Sequence, residues 1–389
     1  MIPLSVTSSE EFKSRLYESL SLKFSMRNTV KDIVSGVGEL RRLSNCGNLS
    51  EHAAPVLSFG IDGNPFFVAE NCESASCPYC GLRLGAERLH DLEDAINSFH
   101  SRFPFGCVAM MVLTFSHRVD DALSDIGSRF REAKKMFFED WKVKQIFRSF
   151  GCIGRVTAPE TTWSDLNGFH PHEHILFFLE SASDSDIVSA REQLFPYWEK
   201  VCCRVGFQTV SERFYFEKQI SQYLKDYVTK CAREVTLSDC KKGFSGRVTH
   251  FSPFQLVAAF METKNSVFSE KFTEYALYSK GLKSYNWSKG LAETLSVKHF
   301  SPEFAKVKRK EFMKDCINVL FSGDDFPDLQ KARFISVSAG DNQKERFIRF
   351  MMYLSSSAFR NRVKSIQIHG KYFEFNDFIK RIQGREAIL

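Results

Sequence analysis

The sequence predicts an α+β protein built on a buried antiparallel sheet. An apolar, β-rich run covers residues 107–115 and has the composition of a central strand. Two further strand-like segments, 152–158 and 172–180, are joined by a link whose turn-forming residues include Asn167 and Gly168. Helical segments accompany these strands, and hairpin pairing with helices to one side is the α+β pattern.

Each helix is predicted from the spacing of its apolar residues. Residues 82–100 place Leu92, Ile96 and Phe99 on one side of a helix. Residues 121–149 show the same kind of spacing with many aromatic side chains. Further helices are expected over 186–203 and 219–234, and short strands over 207–210 and 213–217.

The length of 389 residues predicts two or three domains, because a domain averages roughly 150 residues. Changes in composition suggest where the chain divides. The predicted segments are a lead-in over 1–40, a cysteine-containing module with a helix over 41–104, the sheet domain over 105–240 and a mainly helical C-terminal region over 241–389.

Composition excludes several classes of protein. Charged residues make up 26% and hydrophobic residues 43%, ordinary globular values that exclude a wholly disordered or fibrous chain. The longest apolar run, Cys107 to Leu113, is far shorter than the roughly 20 residues that a membrane helix needs. The N-terminus also lacks the pattern of a secretory signal. We therefore expect a cytoplasmic protein without a membrane partner, whose net charge of +6 permits a nucleic-acid partner.

Three of the ten histidines fall within five positions, at His170, His172 and His174. Because side chains alternate between the faces of a strand, these three point to one side. There they would form a metal site with Glu160 from across the hairpin, where the carboxylate suits Mg or Mn and imidazole suits Mn and other transition ions. The alternatives are three surface histidines at a turn, with Pro171 breaking the strand, and a cupin-like metal site.

Two tyrosines lie four residues apart on the helix predicted over 219–234. Tyr223 and Tyr227 would stand about 6 Å apart on nearly the same face, and Lys230 follows one turn later. A phenol with a pKa of about 10 attacks phosphorus poorly at neutral pH, but a nearby lysine and a metal lower that barrier. Taken alone, the spacing favours an amphipathic helix with two core tyrosines.

The 11 cysteines are an odd number in a chain without an export signal, which argues against a disulfide framework. Cys77 and Cys80 form a C-x-x-C pair, Cys72 lies five residues before it, and Cys46 is further upstream. Four thiolates would form a closed tetrahedral site for a structural zinc ion, with His52 as an alternative ligand. The competing interpretation is a group of ordinary buried or free cysteines.

The order of the motifs resembles that of the HUH endonuclease superfamily. Within it, the chain is similar to the Rep proteins that initiate rolling-circle replication of small plasmids and to related phage initiators. The resemblance covers roughly residues 41–291, with Glu173 as a departure because this slot is normally hydrophobic. The segments that carry it are LTFSH (113–117), HPHEHILFF (170–178), YLKDYVTK (223–230), CESASCPYCGLRLGAERL (72–89), PETTWSDLNGFHPHEH (159–174), FSPFQLV (251–257) and WSKGL (287–291).

The resemblance implies a fold and a metal site. Residues 105–240 would form the HUH endonuclease domain, a ferredoxin-like antiparallel sheet with the metal histidines on a central strand and the tyrosine helix packed across it. His172 and His174 would be the HUH pair that binds Mg or Mn with Glu160. His170 would then be an extra or outer ligand.

The resemblance also implies an activity, the nicking and joining of single-stranded DNA at a replication origin through a 5′-phosphotyrosyl intermediate. Tyr227 would be the nucleophile, because it carries the Tyr-x-x-Lys spacing, and Lys230 would stabilise the developing charge. Tyr223 occupies the slot of a glutamate in one-tyrosine members, which indicates the two-tyrosine phage type. The chain has no Gly-x-x-x-x-Gly-Lys-Ser/Thr motif, so a separate helicase and a DNA polymerase would be partners.

Two other functions stay open. In one, the protein is a non-catalytic, zinc-dependent DNA-binding regulator, in which the cysteines matter and the tyrosines belong to the core. In the other, it is an HUH-type transposase. A covalent protein–DNA adduct formed with Mn or Mg would separate the endonuclease from the regulator, and donor-strand joining would separate it from the transposase.

Overall fold

A computed structural model gives the structure of the protein. The chain forms two compact units, one within residues 23–44 and 73–299 and the other within residues 1–22, 45–72 and 300–389. The residues that the structure describes are 25–46, 56–59, 65–68, 72–78, 80–209, 211–218, 241–242, 248–283, 285–297, 317–321, 363–368 and 371–383.

Helices and strands both occur along the described chain. The strands are β1 (Val56–Phe59), β2 (Pro65–Val68), β3 (Cys107–Leu113), β4 (Cys152–Ser164), β5 (Gly168–Leu179), β6 (Tyr215–Lys218), β7 (Lys241–Lys242), β8 (Val248–His250), β9 (Asn286–Trp287), β10 (Ile317–Phe321), β11 (Val363–Ile368) and β12 (Lys371–Phe373). The helices are α1 (25–33), α2 (Arg41–Ser44), α3 (Cys80–Arg102), α4 (Leu123–Glu139), α5 (Trp141–Ser149), α6 (Asp184–Arg204), α7 (Pro253–Thr263), α8 (Ser266–Ser279), α9 (Leu291–Thr294) and α10 (Phe375–Gln383). Among these helices, none has the length and apolar character that crossing a membrane requires.

A five-stranded antiparallel sheet organises the larger unit. Its strand order is β6-β3-β5-β4-β9, so β5 is the central strand. The hairpin of β4 and β5 pairs Glu160 with His172 and closes where Ser164 meets Gly168. Gly168 has a φ of 67°, and a Cβ there would lie 2.4 Å from the carbonyl oxygen of Val119. Only glycine fits this turn, which sets the register of the hairpin.

Helices cover one face of this sheet, and α3 covers part of the other. On the first face, Phe177 of β5 stacks on Phe147 of α5 at a ring-centroid distance of 4.3 Å. On the second face, Phe178 meets Phe99 of α3 edge-to-face at 5.3 Å, within an apolar cluster that includes Leu176. His170, His172 and His174 continue the row of Leu176 and Phe178, because side chains on a strand alternate between faces. The histidines therefore lie on the sheet face that carries α3.

The predicted α+β class is confirmed, and several predicted elements differ in detail. The helical segment over 121–149 consists of two helices, because Asp140 ends α4 in an extended conformation and caps α5. Strands β4 and β5 are longer than predicted and meet at the turn. Pro171 stands within β5, where it is paired with Thr161, so it does not break the strand.

The other unit contains a second antiparallel sheet, in the order β12-β11-β10-β1-β2. Three of its strands, β10 to β12, lie in the region for which the sequence predicted mainly helix. They are short, of three to six residues. Periodicity cannot distinguish a short apolar run such as 317–321 from a buried piece of helix. Strands β10 and β11 therefore emerge only from pairing with strands distant in the chain, β1 and β10, and β12 then forms a hairpin with β11.

Candidate metal centre

The register of the central hairpin brings three predicted ligands together. Glu160 of β4 lies directly opposite His172 of β5, and His174 is the next residue on the same face. The Glu160 Oε2 atom is 3.4 Å from the Nε2 atom of His172 and 3.1 Å from that of His174. The three ligand atoms lie within 4.8 Å of one another, the geometry of a group that can hold a metal ion.

A backbone hydrogen bond orients one of these imidazoles. The Nδ1 atom of His172 donates to the carbonyl oxygen of His170 at 3.2 Å. In the neutral ring this places the proton on Nδ1 and leaves the lone pair of Nε2 facing Glu160. The donor set of two imidazoles and one carboxylate fits a divalent transition ion and leaves room for oxygen atoms of a substrate.

His170, the third predicted histidine, does not join this group. Its Nε2 atom lies 2.8 Å from the Oγ1 atom of Thr114, and its Nδ1 atom lies 3.3 Å from the Nε2 atom of His117. Burial, with further contributions from His172, His117 and other basic groups, lowers the pKa of His170 to about 3. The ring is therefore neutral at pH 7 and connects the metal group to Thr114 and His117.

The metal group opens into a cleft of about 560 Å³. Five of the ten histidines in the sequence line it, and Glu160 is the acidic residue among its lining. The residues that line the cleft are Val112, Thr114, Phe115, Ser116, His117, Glu160, Thr162, Asn167, His170, His172, His174, Arg213, Tyr215 and His250. Sequence reasoning singled out neither Arg213 nor His250, because neither belongs to a spacing pattern. His117 ends the LTFSH motif, and this motif was the one sequence feature that indicated a role for it.

Glu173 points away from the metal, to the opposite face of β5. It is 5% exposed, and its Oε1 atom forms an ion pair with the Nζ atom of Lys134 on α4. This explains the departure from the hydrophobic residue that the HUH resemblance expects. The slot faces the helical layer, where a charge is tolerated only when a partner is at hand.

The four predicted cysteine ligands also form one group. Cys46, Cys72, Cys77 and Cys80 are all buried, and their sulfur atoms lie within 4.8 Å of one another. The backbone N–H of Cys80 donates to the Sγ atom of Cys77 at 3.4 Å, which favours a thiolate at that sulfur. None of the eight cysteines in the described residues forms a disulfide. Four buried thiols at this separation fit a tetrahedral structural zinc ion.

Glycine is required beside this cysteine group. Gly81 follows Cys80 at the start of α3, and its N–H donates to the carbonyl oxygen of Cys77 at 2.7 Å. A Cβ on Gly81 would lie 2.5 Å from the carbonyl oxygen of Ala75. The close approach lets the chain fold back from the helix start towards the cysteines.

Other predicted residues lie outside the described part of the chain. These are Tyr223, Tyr227 and Lys230 of the predicted tyrosine helix, and His52, the alternative zinc ligand. Their roles stay predictions. Comparison with protein-family models, curated proteins and solved structures found no match to this chain.

Proposed function

We propose that the protein is a divalent-metal-dependent HUH-type endonuclease and strand transferase that initiates rolling-circle replication on single-stranded origin DNA. The observation that carries this proposal is the group of Glu160, His172 and His174 on the paired strands β4 and β5. Among the described residues that line the neighbouring cleft, Glu160 is the one carboxylate. Two imidazoles favour Mn or another transition ion over Mg, which prefers oxygen ligands.

The order of elements supports a ferredoxin-like fold for the HUH domain. Strand β3 is followed by helices α4 and α5, then by β4, β5, α6 and β6. In the sheet, β3 and β5 are central among these four strands, with β6 outside β3 and β4 outside β5. This succession is the β-α-β-β-α-β pattern of ferredoxin-like proteins, with α4 and α5 together in the place of its first helix.

The chain around the predicted tyrosine helix supports a nucleophile at the cleft. Tyr215 precedes residues 219–240 and His250 follows them, and both line the cleft. In the proposed reaction, the Oη atom of Tyr227 attacks the scissile phosphorus, a Tyr–O–P bond forms and the P–O3′ bond breaks. The phenol loses its proton and the 3′ oxygen gains one, so the number of phosphodiester bonds is unchanged. A bound divalent ion would act as a Lewis acid on the phosphate and orient it.

Formation of a covalent protein–DNA adduct tests this proposal. The full chain is incubated with Mn²⁺ and a random-sequence library of single-stranded DNA, and covalent complexes are isolated under denaturing conditions and sequenced. We expect adducts that share one sequence. The adducts should be lost in His172→Ala and strongly reduced in Glu160→Gln, whereas the matched control Glu180→Gln should keep them, because Glu180 is exposed and outside the cleft.

Two results would refute the proposal. One is the absence of any adduct with the unmodified chain across the library. The other is full adduct formation in a chain that carries both Tyr223→Phe and Tyr227→Phe. If only Tyr227→Phe abolishes adducts, the mechanism uses one tyrosine; if each single variant retains part of the activity, the two tyrosines alternate.

A second candidate function rests on the cysteine group. A buried four-thiol cluster is typical of structural zinc modules, many of which bind DNA without catalysis. A zinc-dependent DNA-binding regulator would bind duplex DNA specifically and form no covalent adduct. The adduct experiment therefore decides between the two functions.

A further inference from the structure

The cleft extends beyond the metal group into a region with different chemistry. Apart from the metal group and the other histidines, the lining residues include Arg213, Tyr215 and His250. Arg213 carries a permanent positive charge, and the ring of Tyr215 is 45% exposed. Glu160 is the one carboxylate among the described residues that line the cleft, and it belongs to the metal group.

We propose that Arg213, Tyr215 and His250 form a nucleotide subsite next to the metal group, binding one phosphate of the DNA strand and the base attached to it. The inference rests on the proposed function and adds the residues that hold the strand beside the reacting phosphate. Arg213 and His250 would contact the phosphate, because guanidinium and imidazole groups donate to its oxygen atoms. The base would stack on the ring of Tyr215, since an aromatic face accepts any base.

The turn that carries Arg213 is held in place from α6. The guanidinium of Arg191 donates to the carbonyl oxygen of Phe214 at 2.8 Å and to that of Ser211 at 3.0 Å. These two carbonyls belong to the turn Ser211–Arg213 and to the residue that follows it. Phe214 is itself 1% exposed. The backbone on both sides of Arg213 is thus anchored, while its side chain lines the cleft.

His250 is anchored independently from β4. The next residue, Phe251, exchanges two backbone hydrogen bonds with Trp163, of 2.9 Å and 2.7 Å. The rings of Phe251 and Trp163 also lie 5.9 Å apart, and Phe268 of α8 packs against both. This aromatic cluster fixes the backbone beside His250, which lines the same cleft as Arg213.

The spacing of the histidine rings in the cleft supports a DNA strand that runs along them from the metal group. The rings of His174, His172, His170 and His117 follow one another with centroid separations of 5.1, 5.3 and 5.5 Å. Both ring nitrogens of His170 are engaged within the protein, so this ring does not compete for phosphate. A single DNA strand that places one phosphate at the metal group can therefore continue along this row of rings, with Arg213 and His250 of the same cleft available to a neighbouring phosphate.

Binding of oligothymidylate tests the subsite apart from cleavage. A fluorescein-labelled strand of about 20 nucleotides is titrated with the full chain at several salt concentrations without added Mg or Mn, and affinity is followed by fluorescence anisotropy. Arg213→Gln should weaken binding and lower the slope of log affinity against log salt by about 0.7, because one phosphate contact is lost. His250→Gln should weaken binding as well. Tyr215→Leu should weaken binding about 5- to 150-fold with an unchanged slope, because stacking involves no counterion release.

The matched control is Arg148→Gln, which removes an exposed arginine on α5, outside the cleft. It should change neither the affinity nor the slope beyond the effect of net charge. The subsite is refuted if Arg213→Gln and Arg148→Gln behave alike, or if the unmodified chain does not bind the strand. Binding that depends on Arg213 and Tyr215, without adducts in the library experiment, would keep the subsite and refute the endonuclease. Adducts in the library experiment, together with unchanged DNA binding in Arg213→Gln and Tyr215→Leu, would keep the endonuclease and refute the subsite.

Discussion

Glu173 illustrates how one residue can support the strand that carries a candidate metal site. Its neighbours His172 and His174 point to the cleft, whereas the Glu173 carboxylate is buried on the opposite face with Lys134. Desolvation makes such a carboxylate costly unless a cation compensates for it. The ion pair therefore maintains the packing of α4 beneath β5. It thereby supports the positions of the two imidazoles without contacting them.

Removing one partner of this ion pair should destabilise the protein. Lys134→Met leaves the Glu173 carboxylate buried without its cation. We therefore expect the free energy of unfolding to fall by about 3 kcal/mol. This is the low end of the range for buried ion pairs, because Lys134 is partly exposed. Urea unfolding followed by circular dichroism measures this change. The double variant Lys134→Met/Glu173→Leu should recover most of the loss. Equal stability of the single and double variants would show that burying the Glu173 carboxylate without the Lys134 cation costs no stability.

At the scale of elements, the break between α4 and α5 decides how the helical layer fits the sheet. Asp140 has an extended backbone, with φ −59° and ψ 132°, and lies between the two helices. Its carboxylate accepts hydrogen bonds from the backbone N–H groups of Lys142 at 2.8 Å and Val143 at 3.4 Å. The cap starts α5 at an angle that lets Phe147 stack on Phe177 of the central strand.

Loss of this cap should weaken α5 specifically. Asp140→Ala removes the acceptor for two N–H groups of the first turn, and we expect a loss of about 1 kcal/mol in the free energy of unfolding. Asp140→Asn is the matched control, because its side-chain oxygen can accept the same hydrogen bonds, and it should retain most of the stability. Chemical denaturation of the three proteins tests this. A loss in Asp140→Asn as large as in Asp140→Ala would contradict capping as the cause.

At the scale of the whole molecule, the cysteine group connects parts of the chain that are far apart in sequence. Cys46 lies in one segment, and Cys72, Cys77 and Cys80 lie in another that leads into α3. A metal ion bound by all four would close a long loop. Since ligands are assembled only in the folded state, its binding free energy would contribute to the stability of the fold.

Replacement of one ligand should therefore remove zinc and lower thermal stability. Because four thiolates bind a single tetrahedral ion, we expect elemental analysis to find about one zinc ion per unmodified chain. Cys77→Ser should contain much less zinc and unfold at a lower temperature. Cys203→Ser is the matched control, because Cys203 is exposed and outside the group. The assignment fails if the purified protein contains no zinc, or if both variants retain the same zinc content.

Local pattern predicted the α+β class, the hairpin of β4 and β5 and candidate ligands for both metal groups, although it also included His170 among the ligands. Alternation along a strand places His170, His172 and His174 on one face, and the HUH resemblance indicated His172 and His174 as the ligand pair. The turn composition around Gly168 then brings Glu160 to the other side of the hairpin. The C-x-x-C spacing of Cys77 and Cys80 is equally local, because the ligands are supplied by one turn of the chain.

Only the tertiary structure decided the rest. It turned His170 towards Thr114 and His117, paired Glu173 with Lys134, and brought Arg213 and His250 to the same cleft. Strands β10 and β11 likewise became evident only in the sheet, where β10 pairs with β1 and β11 pairs with β10. The physical reason is common to all of these cases. Each contact joins residues that are far apart in the chain, and depends on sheet order and helix packing, which no periodicity within a single segment records.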